Sequence, residues 1–375
     1  MRKPRILFLS ASVGVGHTAA ANAVACELKA RYPDAEIQTV DSYKYAASVF
    51  SKVVADGYIG MVKTVPQLYR YIYDRAERAH DIPAFRRWVN QYTAANLRAL
   101  VNERNPDVVI CTHAFPCGVM SEFKQQFAPD LPVAGIVTDF VVHPFWIYPN
   151  IDLYAVATPE MRQALLARGV RADRIEQSGI PVDSRFGRRR LPVSELRAAL
   201  GLPLDRRVVL MMGGGLGIGP IDVMVRALGR VDVPVAGVII VGRNAKLERR
   251  VLALAERTAY PLRILGFVDN VYDFMHASDV LVSKPGGLTS SEALAAELPM
   301  VLVKPLPGQE ERNTRYLVSR RAALRVGSER ELATTVAGLL AFPERRERLR
   351  ARMDGLRKPD AARTVADRIA GLLAS

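Results

Sequence analysis

Cysteine is scarce in this sequence, and long apolar runs are absent from it. The 375 residues include three cysteines, Cys26, Cys111 and Cys117, with no CxxC spacing, which argues against a disulfide framework and against a zinc site. The least charged stretch, residues 131–151, contains an aspartate, a histidine and three prolines, so it favours a strand and a loop over a membrane span. No long apolar stretch follows Met1, so we expect no secretory leader and a protein of the reducing cytoplasm.

Basic residues outnumber acidic residues in this sequence. Lys and Arg total 52 against 38 Asp and Glu, which gives a formal net charge of +14. Such an excess favours anionic partners, namely nucleic acid, an acidic membrane surface or phosphorylated substrates, although frequent arginine usage alone would also produce it. The aromatic and basic stretch 42–88 offers rings that could stack on bases. No recognisable nucleic-acid motif accompanies it, so we expect no nucleic-acid partner.

The length predicts two domains, because single hydrophobic cores stop growing near ~250–300 residues. Short apolar runs rich in β-branched residues alternate with helix-like segments, which predicts an α/β fold with a doubly wound parallel sheet in each half. A turn-rich segment, Pro181–Pro192, is the predicted linker, and the tail from Ser328 predicts two or three helices. The predicted strands are Ile6–Ser10, Glu36–Val40, Asp107–Thr112, Pro132–Thr138, Asp152–Ala157, Arg174–Gln177, Arg207–Met212, Val235–Val241, Leu262–Leu265, Asp279–Ser283 and Met300–Val303.

A glycine loop follows the first predicted strand. Gly14 and Gly16 precede a helix-like segment, so backbone N–H groups there can approach an anion or a substrate hydroxyl. His17 stands at the helix start, where the positive end of the helix favours a neutral imidazole that can bind an acceptor hydroxyl or act as a base. A capping or core histidine fits the pattern equally well. The spacing up to Ala19, with Asp41 ending the next strand, also fits a loose dinucleotide fingerprint.

A second group of polar residues follows the strand Pro132–Thr138. Asp139 is a carboxylate in an apolar setting and a plausible general base. His143 and Trp146 could shape an acceptor pocket, with the indole as a flat apolar wall. A polar loop with a packing tryptophan is the alternative interpretation.

A third group, from Ser283 to Asn313, carries the strongest signal. The pair Gly286 and Gly287 lets the backbone approach a phosphate at a helix start. Other side chains supply hydrogen-bonding groups: the hydroxyls of Thr289 and Ser290 suit phosphate, and the carboxylate of Glu292 suits ribose. In an upstream loop, the ring of Phe267 and the backbone groups around it could hold a base. Gln309 and Asn313 are four residues apart, so one helix face presents both to the same ligand.

These motifs resemble glycosyltransferase family 28, in its branch of monogalactosyldiacylglycerol synthases and processive diacylglycerol glucosyltransferases. The resemblance covers nearly the whole chain. It rests on the glycine loop with its histidine (Ser12–His17), Val40–Tyr43, Thr138–Trp146, Gly213–Pro220, Gly266–Asn270, Lys284–Leu294 and Pro307–Asn313. The first loop has Val15 where the family commonly has glycine, so the identity of the acceptor stays open.

The resemblance implies a GT-B fold, in which two Rossmann-like domains face each other across a cleft. The implied domains are an acceptor-binding, membrane-facing domain over 1–185, a UDP-sugar-binding domain over 186–355, and a helix over 356–375 that packs back on the first. The activity would be an inverting transfer of a hexose from UDP-glucose or UDP-galactose to diacylglycerol or a related lipid, without a cofactor or metal. The protein would associate peripherally with the inner, anionic face of the cell membrane.

By the same resemblance, the donor side would be formed by residues of the second half. His17 or Asp139 would be the base, and Gly16, His143 and Trp146 would lie on the acceptor side. The implied donor residues are Gly214, Gly215, Phe267, Val268, Lys284, Gly286, Gly287, Thr289, Ser290, Glu292, Gln309, Glu310 and Asn313. The basic candidates for membrane contact are Lys44, Lys52, Lys63, Arg86, Arg87 and Arg188–Arg190.

Other enzyme classes stay open at this point. A Rossmann oxidoreductase would use the first glycine loop for NAD, but it would leave Lys284–Asn313 unexplained. A sugar-nucleotide epimerase would share the GT-B architecture and bind UDP without a lipid acceptor. A UDP-sugar transferase with an acceptor other than diacylglycerol is the third alternative.

Overall fold

The structure, a computed structural model, describes residues 3–11, 15–45, 82–214 and 219–374, with the side chains of 82–86, 88 and 89 left out. The chain forms two compact units. Unit 1 comprises Met1–Val182, Leu306–Gln309 and Asp360–Ser375, and unit 2 comprises Asp183–Pro305 and Glu310–Pro359. The division therefore falls three residues before the boundary that the sequence suggested and returns to unit 1 after Pro359.

In the part of the chain that the structure describes, twelve strands and their helices follow the predicted alternation. The first part contains β1 (Arg5–Ser10), α1 (Val15–Arg31), β2 (Glu36–Asp41), α2 (Ile82–Arg104), β3 (Val108–Cys111), α3 (Ala114–Phe127), β4 (Val133–Ile136), β5 (Leu153–Ala155), α4 (Pro159–Leu166) and β6 (Ile175–Glu176). The rest contains α5 (Val193–Ala199), β7 (Arg207–Met212), α6 (Ile221–Leu228), β8 (Val235–Ile240), α7 (Ala245–Ala255), β9 (Leu262–Leu265), α8 (Val271–Ala277), β10 (Val280–Ser283), α9 (Gly287–Ala295), β11 (Met300–Val303), α10 (Gln309–Ser319), β12 (Ala323–Val326), α11 (Glu329–Ala341), α12 (Pro343–Asp354) and α13 (Ala361–Ala374).

Both units contain a six-stranded parallel sheet. The order is β2-β1-β3-β4-β5-β6 in unit 1 and β12-β11-β10-β7-β8-β9 in unit 2. In each sheet the strand order reverses at one place, between β1 and β3 in unit 1 and between β7 and β10 in unit 2. Ligands of open α/β sheets bind beyond the carboxyl ends of the strands at such a switch point.

The strands form because their apolar side chains are covered on both faces. All six residues of β8 are buried, and so are all four of β10, as expected for parallel strands between helix layers. Helix α6 buries Ile221, Met224, Val225 and Leu228, the i, i+3, i+4 and i+7 positions of one helix face.

Helix α13 completes the core of unit 1. Its buried residues Val365 and Ile369 belong to the same apolar cluster as Val24 and Leu28 of α1. The ion pair between Arg31 and Asp367 lies at the surface of the same helix pair. Among the described residues, no helix is both long enough and apolar enough to cross a bilayer.

Candidate functional site

Several of the predicted donor residues lie at the switch point of unit 2. Gly213 and Gly214 follow β7, and Lys284 follows the neighbouring strand β10. Gly214 has φ +72, and a Cβ atom built there would lie 2.9 Å from Cε of Lys284. Only glycine suits this backbone conformation and this close approach. Gly215 lies outside the described residues.

The ammonium group of Lys284 is held by a carboxylate. Its Nζ donates to Oε1 of Glu310, in the first turn of α10, at 2.8 Å. The exposed fractions of the two side chains are 18% and 12%, so solvent screens this ion pair only in part. A cation is thereby fixed beside the glycine turn, where it can balance the charge of a diphosphate.

Helix α9 begins at the same edge of the sheet. Its N-cap residue is Gly286, so no side chain caps the helix, and the first backbone N–H groups of a helix have no partner within it. Thr289 is partly accessible in the first turn, whereas Ser290 is buried. The turn offers backbone donors and a hydroxyl of the kind that bind phosphate oxygens.

Glu292, one turn further along α9, has an altered acidity. Burial, with the negative charge of Asp183 as the second cause, raises the pKa of its carboxyl to about 8. Asp183 accepts two hydrogen bonds from the guanidinium of Arg185, at 3.0 and 2.7 Å. Arg185 also stacks over the ring of Tyr272. Sequence analysis missed this Asp183–Arg185 pair because it lies in the segment taken as a linker.

Two further donor predictions differ in accessibility. Phe267 is 54% exposed, and the guanidinium of Arg243 lies 4.6 Å from its ring centroid. The neighbouring Val268 is partly buried. An exposed ring with a cation on one face can stack a planar base on the other.

The two predicted amides of α10, on Gln309 and Asn313, have different hydrogen-bond partners. Asn313 is buried, and its Nδ2 donates to the carbonyl of Pro285 at 3.2 Å, so it supports the loop between β10 and α9. Gln309 belongs to unit 1, where its Nε2 donates to Oδ2 of Asp139 at 2.9 Å. The two amides thus have different partners in the structure, and their binding of one ligand stays a prediction.

In unit 1, His17 lies at the switch point between β1 and β3, in the first turn of α1 beside Gly16. Its Nδ1 lies 2.9 Å from the carbonyl oxygen of Thr112 and 2.9 Å from Oγ1 of Thr138. A carbonyl oxygen only accepts, so Nδ1 carries the proton and Nε2 presents a lone pair. Burial, opposed by the bond to Thr112, lowers the pKa of His17 to about 4, so the ring is neutral at pH 7.

A second histidine stands next to it. His113 follows β3, and its ring lies edge-to-face with that of His17, with centroids 4.7 Å apart. Tyr43 stacks on Phe115 beside this pair, with centroids 5.0 Å apart. Sequence analysis named Tyr43 only within the motif Val40–Tyr43 and missed His113 and Phe115, because only the neighbouring positions of β1, β2 and β3 bring the three residues together. The available signal was a histidine shortly after the buried strand β3.

The other acceptor-side predictions lie deeper in unit 1. Trp146 is only 2% exposed and packs in the core, and His143 is 4% exposed, with its Nδ1 accepting the N–H of Phe145. In this structure neither side chain offers a wall to a ligand, because both fix the turn that follows Asp139. Asp139 itself is partly accessible.

The described residues contain no cluster of three or more His, Cys, Asp or Glu side chains placed to hold a metal ion. The groups gathered in unit 2 are a cation, a helix start and backbone N–H groups, all of which bind anions. Those gathered in unit 1 are neutral imidazoles and aromatic rings.

Family comparisons cover both units. Residues 17–182 match the monogalactosyldiacylglycerol (MGDG) synthase family, and residues 193–353 match the glycosyl transferases group 1. The processive diacylglycerol beta-glucosyltransferase of Bacillus cytotoxicus is 28% identical over 374 residues, which is 98% of this chain and 93% of that protein. The enzyme of the same name from Bacillus subtilis is 28% identical over 366 residues, 97% of this chain and 94% of its own.

Solved structures share the architecture. MurG of Acinetobacter baumannii superposes with a TM-score of 0.62 at 16% identity, covering 98% of this chain and 99% of its own. The glycosyltransferase of kitacinnamycin gives 0.64 at 17% identity over 100% of both chains. A UDP-N-acetylglucosamine 2-epimerase gives 0.61 at 15%, over 98% and 96%, so this fold by itself does not separate transferases from epimerases.

The two parallel-sheet units form the GT-B fold, and the family matches over both of them make this protein a glycosyltransferase. The prediction of this fold is confirmed. Each half of the chain matches a glycosyltransferase family, and the predicted resemblance to the branch of monogalactosyldiacylglycerol synthases and processive diacylglycerol glucosyltransferases is confirmed.

Proposed function

We propose that this protein transfers a hexose from UDP-glucose or UDP-galactose to the free hydroxyl of a diacylglycerol, with inversion, giving a β-glycosyl-diacylglycerol. Two of its relatives at 28% identity are named processive diacylglycerol beta-glucosyltransferases and align over nearly their whole length. The observation that carries the proposal is the neutral His17, whose Nε2 is free of the proton that Nδ1 holds against Thr112.

In the proposed step, the acceptor oxygen attacks the anomeric carbon from the face opposite the diphosphate. The bond from that carbon to the phosphate oxygen breaks, UDP leaves with the electron pair, and the hydroxyl proton moves to Nε2 of His17. Asp139 is the alternative base, but its Oδ2 already accepts a hydrogen bond from Gln309. Gly16 would lie beside His17 on the acceptor side, which His143 and Trp146 would support from the core without touching the acceptor.

Unit 2 would hold the UDP part of the donor. Lys284, the glycine turn and the start of α9 balance the diphosphate charge, so we expect no metal requirement. The uracil would lie against Phe267 and Val268, and the ribose would bind to Glu292. The sugar would lie beside Glu310 and Gln309. Asn313 would contribute through the loop between β10 and α9, which it supports.

The lipid acceptor calls for contact with a membrane surface, which we propose is the anionic inner face of the cell membrane. Lys44, Arg87 and the run Arg188–Arg190 are exposed, and each arginine near an anionic surface contributes about 1 kcal/mol. Lys52 and Lys63 lie outside the described residues, and the side chain of Arg86 is not described.

One incubation tests the proposal. The protein is mixed with UDP-glucose or UDP-galactose and vesicles containing diacylglycerol, with and without EDTA, and the lipids are analysed by mass. We expect a monohexosyl lipid with one of the two donors and the same yield with EDTA. No glycolipid with either donor would overturn the lipid acceptor, and a new UDP-sugar epimer formed without acceptor would favour the epimerase alternative.

A further inference from the structure

His113 has no part in the reaction as proposed above, although its ring lies edge-to-face with that of His17. It follows β3 directly, and it is the N-cap residue of α3. The ring planes of the two histidines meet at 83°. Its side chain is partly accessible, so a ligand at the switch point of unit 1 can reach it.

The bonding of His113 fixes the position of its proton. Nδ1 accepts the backbone N–H of Phe115 at 3.1 Å, so this nitrogen is unprotonated. Burial, with the charge of His17 as the second cause, holds the pKa of His113 well below its usual range, so the ring is neutral. A neutral imidazole with a free lone pair on Nδ1 carries its hydrogen on Nε2.

The two rings are therefore opposite tautomers. His17 donates through Nδ1 and accepts at Nε2, whereas His113 accepts at Nδ1 and donates through Nε2. Neither Nε2 atom makes a hydrogen bond to any residue that the structure describes. The ring centroids of Tyr43 and His113 lie 6.0 Å apart, and the ring of Tyr43 also stacks on that of Phe115.

An acceptor with two neighbouring oxygens matches this pair of groups. We propose that His113 binds the acceptor, donating from Nε2–H to the oxygen on the carbon next to the attacking hydroxyl, while His17 receives the hydroxyl proton. In a 1,2-diacylglycerol that oxygen belongs to the ester at the second carbon, and in a glycosylated lipid it belongs to the adjacent sugar hydroxyl. His113 keeps its proton throughout, and the inference rests on the proposed function.

Two substitutions separate binding from helix capping. Asn is a favourable N-cap residue whose oxygen can replace Nδ1, but its amide is too short to reach the place of Nε2. Gln is a poorer cap, and its longer amide can take the place of the Nε2 donor. We expect His113→Asn to lower kcat/KM for diacylglycerol about tenfold, as for one lost hydrogen bond, and His113→Gln to retain most of the activity. A capping role alone predicts the reverse order.

The second part of the experiment varies the acceptor. The monoester of 1,3-propanediol lacks the neighbouring oxygen, so we expect wild type and His113→Asn to use it at rates within about twofold of each other. A monoglucosyl-diacylglycerol tests the sugar hydroxyl as the source of that oxygen. Protection by UDP against thermal unfolding verifies that each variant is folded.

An equal loss with both acceptors would overturn the inference, and so would an Asn variant as active as the Gln variant. In either case the wild-type glycolipid product would leave the proposed function intact. Absence of any glycolipid from the wild type would overturn the proposed function and the inference with it.

Discussion

The ammonium group of Lys284 donates to Glu310 at 2.8 Å while the backbone of Gly214 lies against its aliphatic stem. The ion pair and the turn are thus one packed arrangement, assembled from the ends of β7 and β10 and the start of α10. Its geometry depends on a residue without a side chain at position 214.

Substituting Gly214 tests this arrangement. Gly214→Ala places a Cβ 2.9 Å from Cε of Lys284 at a φ of +72, which costs roughly 1–2 kcal/mol of strain and displaces the lysine. We expect a lower Tm and at least tenfold weaker UDP binding by calorimetry. Gly355→Ala is the control, because a Cβ there meets nothing within 4 Å and φ is −68. Equal UDP affinity in both variants would contradict the role of the Gly214 turn.

The raised pKa of Glu292 predicts a stability that falls as pH rises. Between pH 4.5 and about 8, the unfolded chain has released this proton and the folded chain still holds it, so unfolding is favoured at the higher pH. Glu292→Gln keeps a neutral side chain throughout. We expect the variant to gain about 1–3 kcal/mol relative to wild type between pH 5 and pH 8, measured by urea unfolding.

The matched control is Glu344→Gln, which removes an exposed carboxylate from α12. The stability of this variant relative to wild type should change much less over the same range. A difference between Glu292→Gln and wild type that is constant with pH would show that Glu292 ionises normally.

His17 predicts an acid limb far below the ordinary range of histidine. If its Nε2 is the base, kcat/KM should fall only near pH 4, where the ring becomes protonated, and not near 6.5. His17→Gln should lower kcat by about 10²–10⁴-fold without changing the protection by UDP against thermal unfolding. A limb that stays unchanged in His17→Gln would assign the base to another residue, with Asp139 the first candidate.

Membrane association predicts a position-dependent effect of charge. Replacing Arg188, Arg189 and Arg190 by Ala should weaken binding to anionic vesicles by about 100-fold in sedimentation, at about 1 kcal/mol per arginine. The control removes the same charge from α12, at Arg345, Arg348 and Arg352, which are also exposed. Equal losses of vesicle affinity in the two triple variants would show that net charge alone, and not the position of the arginines, determines binding.

Much of the fold could be predicted from the sequence, because buried parallel strands are uninterrupted apolar runs. Each predicted strand is present within two residues at either end. The strand that was missed, β12, lies at a sheet edge, and its Leu324 and Arg325 are exposed, so it has no apolar run to detect.

The geometry of the candidate site was harder to predict from the sequence, because it depends on which strands are neighbours. The sequence placed Lys284 and Glu310 among the donor residues without relating one to the other, and the structure pairs them. It singled out His17 without His113, since only the placement of β1 beside β3 brings the two rings together.

Helix α13 follows the whole of unit 2 along the chain, yet it packs on α1 in unit 1. Unit 2 is therefore an insertion within unit 1 in chain order. During synthesis, unit 2 can form its own core while the apolar face around Val24 and Leu28 still lacks its cover. A fragment ending at Val182 would keep that face open to solvent, so an isolated unit 1 would need α13 joined back to it.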